Sequence, residues 1–169
     1  NTILFLTMLK GMIGIQSCGN SKKNMEAIEK EVNGTNSECP ISLGMFGDLQ
    51  EIRLDKEAKE IVATYLNKDS VGNAFLSDID IDLFKHLMVS SNQHDKNTEF
   101  LQLLVDEGIS FRSIYDCTIL NDTIDFTITP DEITNFIADP ISEMDVKKIQ
   151  LKTQLAMNNA KCTVADYPG

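Results

Sequence analysis

The chain has 169 residues, enough for one ordinary domain with its own core. Its apolar content of 42% excludes a disordered chain. With 15 basic and 26 acidic residues the net charge is −11, and such a surface repels phosphate backbones, which makes nucleic acid a poor partner.

In chain order, an apolar run over residues 1–17 ends at Ser17 and Cys18, after which Gly19-Asn20-Ser21-Lys22-Lys23 turn polar. That shape predicts an export signal over 1–17. Ile15-Gln16-Ser17-Cys18 resembles the lipobox of bacterial lipoproteins, in which the cysteine is diacylated and becomes the new N-terminus. Gln16 departs from the small or hydroxyl residue usual there, and Lys10 interrupts the apolar run. The competing reading is a buried N-terminal helix. A spanning helix is disfavoured, because the stretch carries a lysine and falls short of about 20 apolar residues. The resemblance implies an acyl anchor on Cys18, and a location in the periplasm or on the outer surface, with two acyl chains giving stable attachment where one does not.

Residues 18–24 read as a polar tether. Met25, Ile28 and Val32 predict a short helix that Asn33-Gly34 ends. Asn36 to Ile41 reads as extended, fixed by Pro40. Leu49–Asp55 and Glu60–Leu66 read as the two strands of a hairpin. Asn67 to Asn73 reads as a loop, and Ser77 with Asp80 as a capping box opening a helix. A second helix runs from Asn97 to Glu107, with Gly108 as its left-handed cap. Ile109–Asp116 and Thr123–Thr129 predict another pair of strands, the latter with Ile124, Phe126 and Ile128 on one face. Thr129-Pro130-Asp131-Glu132 is a strong helix start, and Asp139-Pro140 a stop. A last helix over 141–159 draws its apolar face from Met144, Val146 or Ile149, Leu151 and Leu155.

This order predicts an α+β fold: an antiparallel sheet of about four strands in two hairpins, with helices packed on one face. The expected organisation is a signal over 1–17, a tether over 18–24 and a domain over 25–140. Residues 141–169 then form a C-terminal helix and the start of a second repeat. The repeat rests on an echo: the segment around Cys39 and the segment around Cys162 each follow a helix and carry Asn residues before the cysteine and a later Gly. Chance, or an added edge strand, explains the echo equally simply.

The pattern Asn36-x-x-Cys39-Pro40-Ile41, then Gly47-x-Leu49-x-x-Ile52 and a strand with Tyr65, resembles an exported lipoprotein module common in Bacteroides-type organisms. Leu104-Val105-x-x-Gly108-Ile109-x-Phe111-x-x-Ile114-Tyr115, with Ile124-x-Phe126-Thr127-Ile128-Thr129-Pro130-x-Glu132, is similar to that module's second hairpin and following helix. The resemblance spans roughly residues 33–138. It implies an exported α+β domain and brings no activity and no catalytic residue.

Candidate chemistry is sparse. Asp78, Asp80 and Asp82 open like a calcium loop, but Leu83 stands where glycine is needed and Val89 where glutamate is needed. A helix N-terminus favouring acids explains the run better. His86 and His94 are the only histidines and show no ligand spacing. With Cys18 acylated, Cys39, Cys117 and Cys162 remain, too widely spaced for zinc and odd in number for disulfides. Arg53 and Arg112, the only arginines, form no basic cluster. Tyr65, Phe111 and Tyr115 share a predicted sheet face and would offer a ligand or partner surface if exposed, or core packing if not. No metal and no cofactor is expected. The reading is a non-enzymatic binding or scaffolding module, its partners the membrane through Cys18 and an envelope protein or ligand. One alternative is an exported thiol enzyme or hydrolase pairing Cys39 or Cys117 with His86 or His94. Another is an inhibitor or immunity-type protein suited to the acidic surface.

Overall fold

A computed structural model of the chain describes residues 21–91 and 96–165, with side chains described over 21–91 and 98–159. The helix α1 spans Ser21–Ser37, and β1 is the two-residue strand Ile41–Ser42. A 3-10 turn over Gly44–Phe46 leads into β2 (Asp48–Asp55) and β3 (Glu60–Asn67). Three helices follow: α2 (Ser70–Asp78), α3 (Ile81–Ser90) and α4 (Lys96–Glu107). Then come β4 (Ser110–Cys117), β5 (Asp122–Ile128), α5 (Pro130–Ala138) and α6 (Glu143–Ala165).

The class is α+β, as read from the sequence. The sheet, however, has five strands in the order β1-β2-β3-β4-β5 and is mixed. Neighbours pair antiparallel except β3 and β4, which run parallel from Glu60 opposite Ser110 to Asn67 opposite Cys117. The reason lies in the connection: a parallel neighbour needs a long crossover, and α2, α3 and α4 supply it. β1 escaped the sequence reading because two residues carry no periodicity.

The β2–β3 hairpin turns where Asp55 accepts hydrogen bonds from the N–H groups of Glu57 and Ala58. In β2 the register shifts between Leu49 and Glu51. This bulge resets the alternation, so that Leu49 and Ile52 are both buried. Ile61, Ala63 and Tyr65 of β3, Phe111 and Tyr115 of β4, and Phe126 and Ile128 of β5 join them in one core. Phe84 of α3 packs edge-on to Phe126, with ring centroids 5.8 Å apart, and ties the helices to the sheet.

Several boundaries differ from the sequence reading. α1 begins at Ser21, inside the expected tether, and runs past Asn33-Gly34 to Ser37. Its buried residues Ile28, Val32 and Thr35 lie on one stripe. Packing of that stripe outweighs the roughly 1 kcal/mol that a mid-helix glycine costs. The expected loop after Asn67 is mostly α2, whose N-cap Asp69 accepts from Gly72 N–H at 2.7 Å. Ser77 lies near the end of α2 instead of opening a helix, and Asp80 is itself the N-cap of α3, accepting from Leu83 N–H at 3.1 Å. At α5 the reading and the structure agree: Thr129 and Glu132 form a reciprocal capping box.

In α6 the inward face is Ile149 and Ala156, with Val146 half-buried beside them. Met144, Leu151 and Leu155 are 69%, 70% and 57% exposed. At about 100° per residue, 149 and 156 fall on one side of the helix and 144, 151 and 155 on the other. Over its described side chains the helix is apolar on two faces, and described elements cover only one of them. None of the described helices is long and apolar enough to cross a membrane.

Candidate functional site

Tyr65 and Tyr115 sit opposite each other across the parallel β3–β4 pair, with their rings stacked at 4.5 Å. Both are buried, as is Phe111, at 2%, 0% and 4% exposure. The exposure on which a ligand role depended is absent, and the three side chains build the core.

Cys39 donates to the carbonyl of Thr35, at 3.6 Å. Burial pushes its thiol above the ordinary range, and Glu51 and Glu38 push the same way. Cys117 is buried, and its thiol is likewise raised by burial and then by Asp122 and Asp116. A raised thiol carries little thiolate at neutral pH, the opposite of what a nucleophile needs. His86 stacks on Phe136 at 4.5 Å, and its Nε2 lies 2.6 Å from the carbonyl oxygen of Asp139. Its ring and hydrogen-bond partners are thus on α5 and just after it, Asp145 of α6 lies within its electrostatic reach, and none of these is a cysteine. Cys18, His94 and the side chain of Cys162 lie outside the described residues. Of the aspartate run, Asp80 caps α3, Asp82 lies 3.9 Å from Lys85, and Asp78 lies 4.0 Å from Lys152. Among the described residues no group of three His, Cys, Asp or Glu could hold a metal ion.

A buried polar centre that sequence reasoning missed lies at the end of β3. Asn67 donates to the Met45 carbonyl at 2.9 Å, and Asn73 donates to the Asn67 carbonyl at 3.0 Å. Asn73 Oδ1 in turn accepts from Ile119 and Leu120 N–H groups in the β4–β5 connection. Its polar groups are consumed by the backbone, so it holds three segments together and leaves nothing free for a ligand. Two asparagines in an apparent loop gave no signal of this.

What remains is the side of the sheet turned away from the core. Cross-strand partners share a face, so the register lays out its rows. Arg53, Val62, Arg112 and Thr127 form one row. Glu51, Thr64, Ile114 and Asp125 form the next, and Asp48, Leu66, Asp116 and Thr123 the third. Apart from Val62, these residues are half-buried or exposed, so none of the described helices covers them. The only two arginines of the chain stand in one row. Arg112 is forked onto Asp125, with Nε at 2.9 Å from Oδ1, and lies 3.8 Å from Glu60; Arg53 lies 3.7 Å from Asp55. Both cations are thereby neutralised. Asp48, Glu51 and Asp116 make no ion pair among the described residues, so the face is acidic around an apolar centre of Leu66 and Ile114.

No protein-family model matches the chain, and no curated protein and no solved structure matches it either.

Proposed function

We propose that the chain is a non-enzymatic binding module of the cell envelope, tethered through acyl groups on Cys18, that presents the outer face of its sheet to a partner. The uncovered face, acidic at its rim and apolar at its centre, is the observation that carries this reading. The raised thiols of Cys39 and Cys117 weigh against the thiol-enzyme alternative. The tether rests on the lipobox-like residues before Cys18, and the resemblance to the exported module rests on the residues that share its pattern.

Two measurements test the two halves. Intact mass of the protein from its native membrane fraction should equal a chain starting at an acylated Cys18; an unmodified N-terminal segment in the soluble fraction would sink the tether. A photo-crosslinking residue at Thr64, in the middle row of the outer face, should capture a partner in the envelope. The same residue at Gln102, exposed on α4, should not. Equal labelling from both sites would remove the sheet face from consideration.

A further inference from the structure

Two surfaces that no described element covers complement each other. One is the outer sheet face, with Leu66 and Ile114 half-buried at its centre and, around them, the carboxylates of Asp48, Glu51 and Asp116, which have no ion pair among the described residues. The other is the exposed stripe of α6. Met144, Leu151 and Leu155 project within about 40° of one another, since positions seven and eleven residues on return to one side of a helix. These are the most exposed large apolar side chains of α6. Lys147 stands beside the stripe, exposed and without an ion pair among the described residues. Lys148 is 60% exposed and is paired with Asp145 at 2.7 Å, so Lys147 is the cation of this stretch left free among the described residues.

The dimensions agree. Met144 to Leu155 spans about 16 Å along the helix axis. Three rows of the sheet span about 13 Å, and four strands about 14 Å across. A sheet that is apolar at the centre of an open face is completed by a helix laid on it, which is the layer rule of mixed α/β folds. Charge selects the helix: residues 143–155 of α6 carry three lysines against the two acids Glu143 and Asp145, a small positive excess facing a carboxylate rim in a chain whose net charge is otherwise strongly negative.

We propose that the outer sheet face takes the α6 stripe of a second copy of this chain. The contact joins two different surfaces, so it is heterologous and continues from copy to copy unless it closes into a ring. This inference rests on the reading of the sheet face as a binding surface and names its occupant.

Sedimentation velocity of the full chain over a concentration series tests it. The wild type should show species larger than a monomer that grow with concentration. Leu151→Glu, on the helix side, and Glu51→Lys/Asp116→Lys, on the sheet side, should each weaken association about tenfold or more. Both changes fall at exposed positions, and unchanged far-UV circular dichroism confirms the fold. The decisive sample is their mixture. Each variant keeps one intact surface, so together they should form a one-to-one dimer that grows no further. A wild type that stays monomeric, or a mixture that forms no dimer, overturns the proposal. The Thr64 photo-adduct separates the two readings. An adduct of twice the chain mass supports a second copy, and an adduct with another protein keeps the binding face and overturns the occupant. No adduct overturns both.

Discussion

Ser113 is fully buried at the centre of β4, between Ala63 and Phe126, and its hydroxyl makes no hydrogen bond among the described residues. A buried, unpaired hydroxyl costs desolvation with no return. Ser113→Ala should therefore leave stability unchanged or raise it by about 1 kcal/mol in urea unfolding; a loss of that size would mean that the hydroxyl has a partner. Thr129 is the contrasting case, because its hydroxyl accepts from Glu132 N–H at 3.2 Å while Glu132 reaches back to Thr129 N–H at 2.7 Å. Thr129→Ala should cost about 1 kcal/mol, and Glu132→Gln, which keeps an acceptor, should cost less. The box was legible because capping is a local pattern of four residues. The Ser113 environment was not, since nothing within β4 announces which residues stand across from it. For the thiols, mass-mapped alkylation near neutral pH should label Cys117 only after unfolding, and Cys39 more slowly than free cysteine. Rapid labelling of either in the native protein would restore the thiol-enzyme reading.

At the scale of elements, the errors of sequence reading have a common cause. Strands with clean alternation, such as β5, were visible within a residue or two because one side is buried and the other is wet. α2 reads as loop in the sequence because Asp69, Gly72 and Asn73 are turn formers by composition. In place, Asp69 is its N-cap, and Gly72 is there for space: a Cβ at Gly72 would lie 1.8 Å from the Met45 carbonyl oxygen. Backbone cannot yield that distance cheaply, so Gly72→Ala should destabilise by about 3 kcal/mol or more. Ala at Gly34, where a Cβ meets nothing within 4 Å, should stabilise α1 by up to about 1 kcal/mol. Comparison of the two midpoints in urea checks the argument, and similar effects at both sites would refute it. α6 misled in another way. Periodicity reports that a helix has an apolar stripe, but with two stripes it cannot say which one meets α2. The face of Tyr65, Phe111 and Tyr115 stays open in the sequence between partner surface and core packing for a related reason: sequence alternation groups side chains on one face without saying which face the helices cover, and the structure buries all three.

For the whole molecule, charge opposes compactness while a few ion pairs tie its elements together. Arg112 on β4 holds Asp125 on β5, and Lys85 on α3 holds Glu132 on α5 at 3.0 Å. The hydrogen bond from Arg112 holds the Asp125 carboxyl below its ordinary range. Burial pushes Glu132 upward, but the Thr129 N–H and Lys85 together outweigh it and leave this carboxyl lowered as well. A carboxyl with a folded pKa below its unfolded value contributes stability above the unfolded value and loses it as pH falls through the folded one. Over the same descent the net charge of −11 shrinks toward zero near the sequence pI of about 4.5, which relieves self-repulsion. The two effects act in different windows. Tm should stay level or rise slightly from pH 7 to about 5, where the pairs are intact and repulsion fades. Below about pH 4 it should fall steeply as Asp125 and Glu132 protonate. Arg112→Ala returns Asp125 toward its ordinary value, so that variant should be less stable at pH 7 and lose less between pH 5 and 3. If its acid limb runs parallel to that of the wild type throughout, the Arg112–Asp125 fork does not couple β4 to β5 through charge, and the acid lability must arise elsewhere.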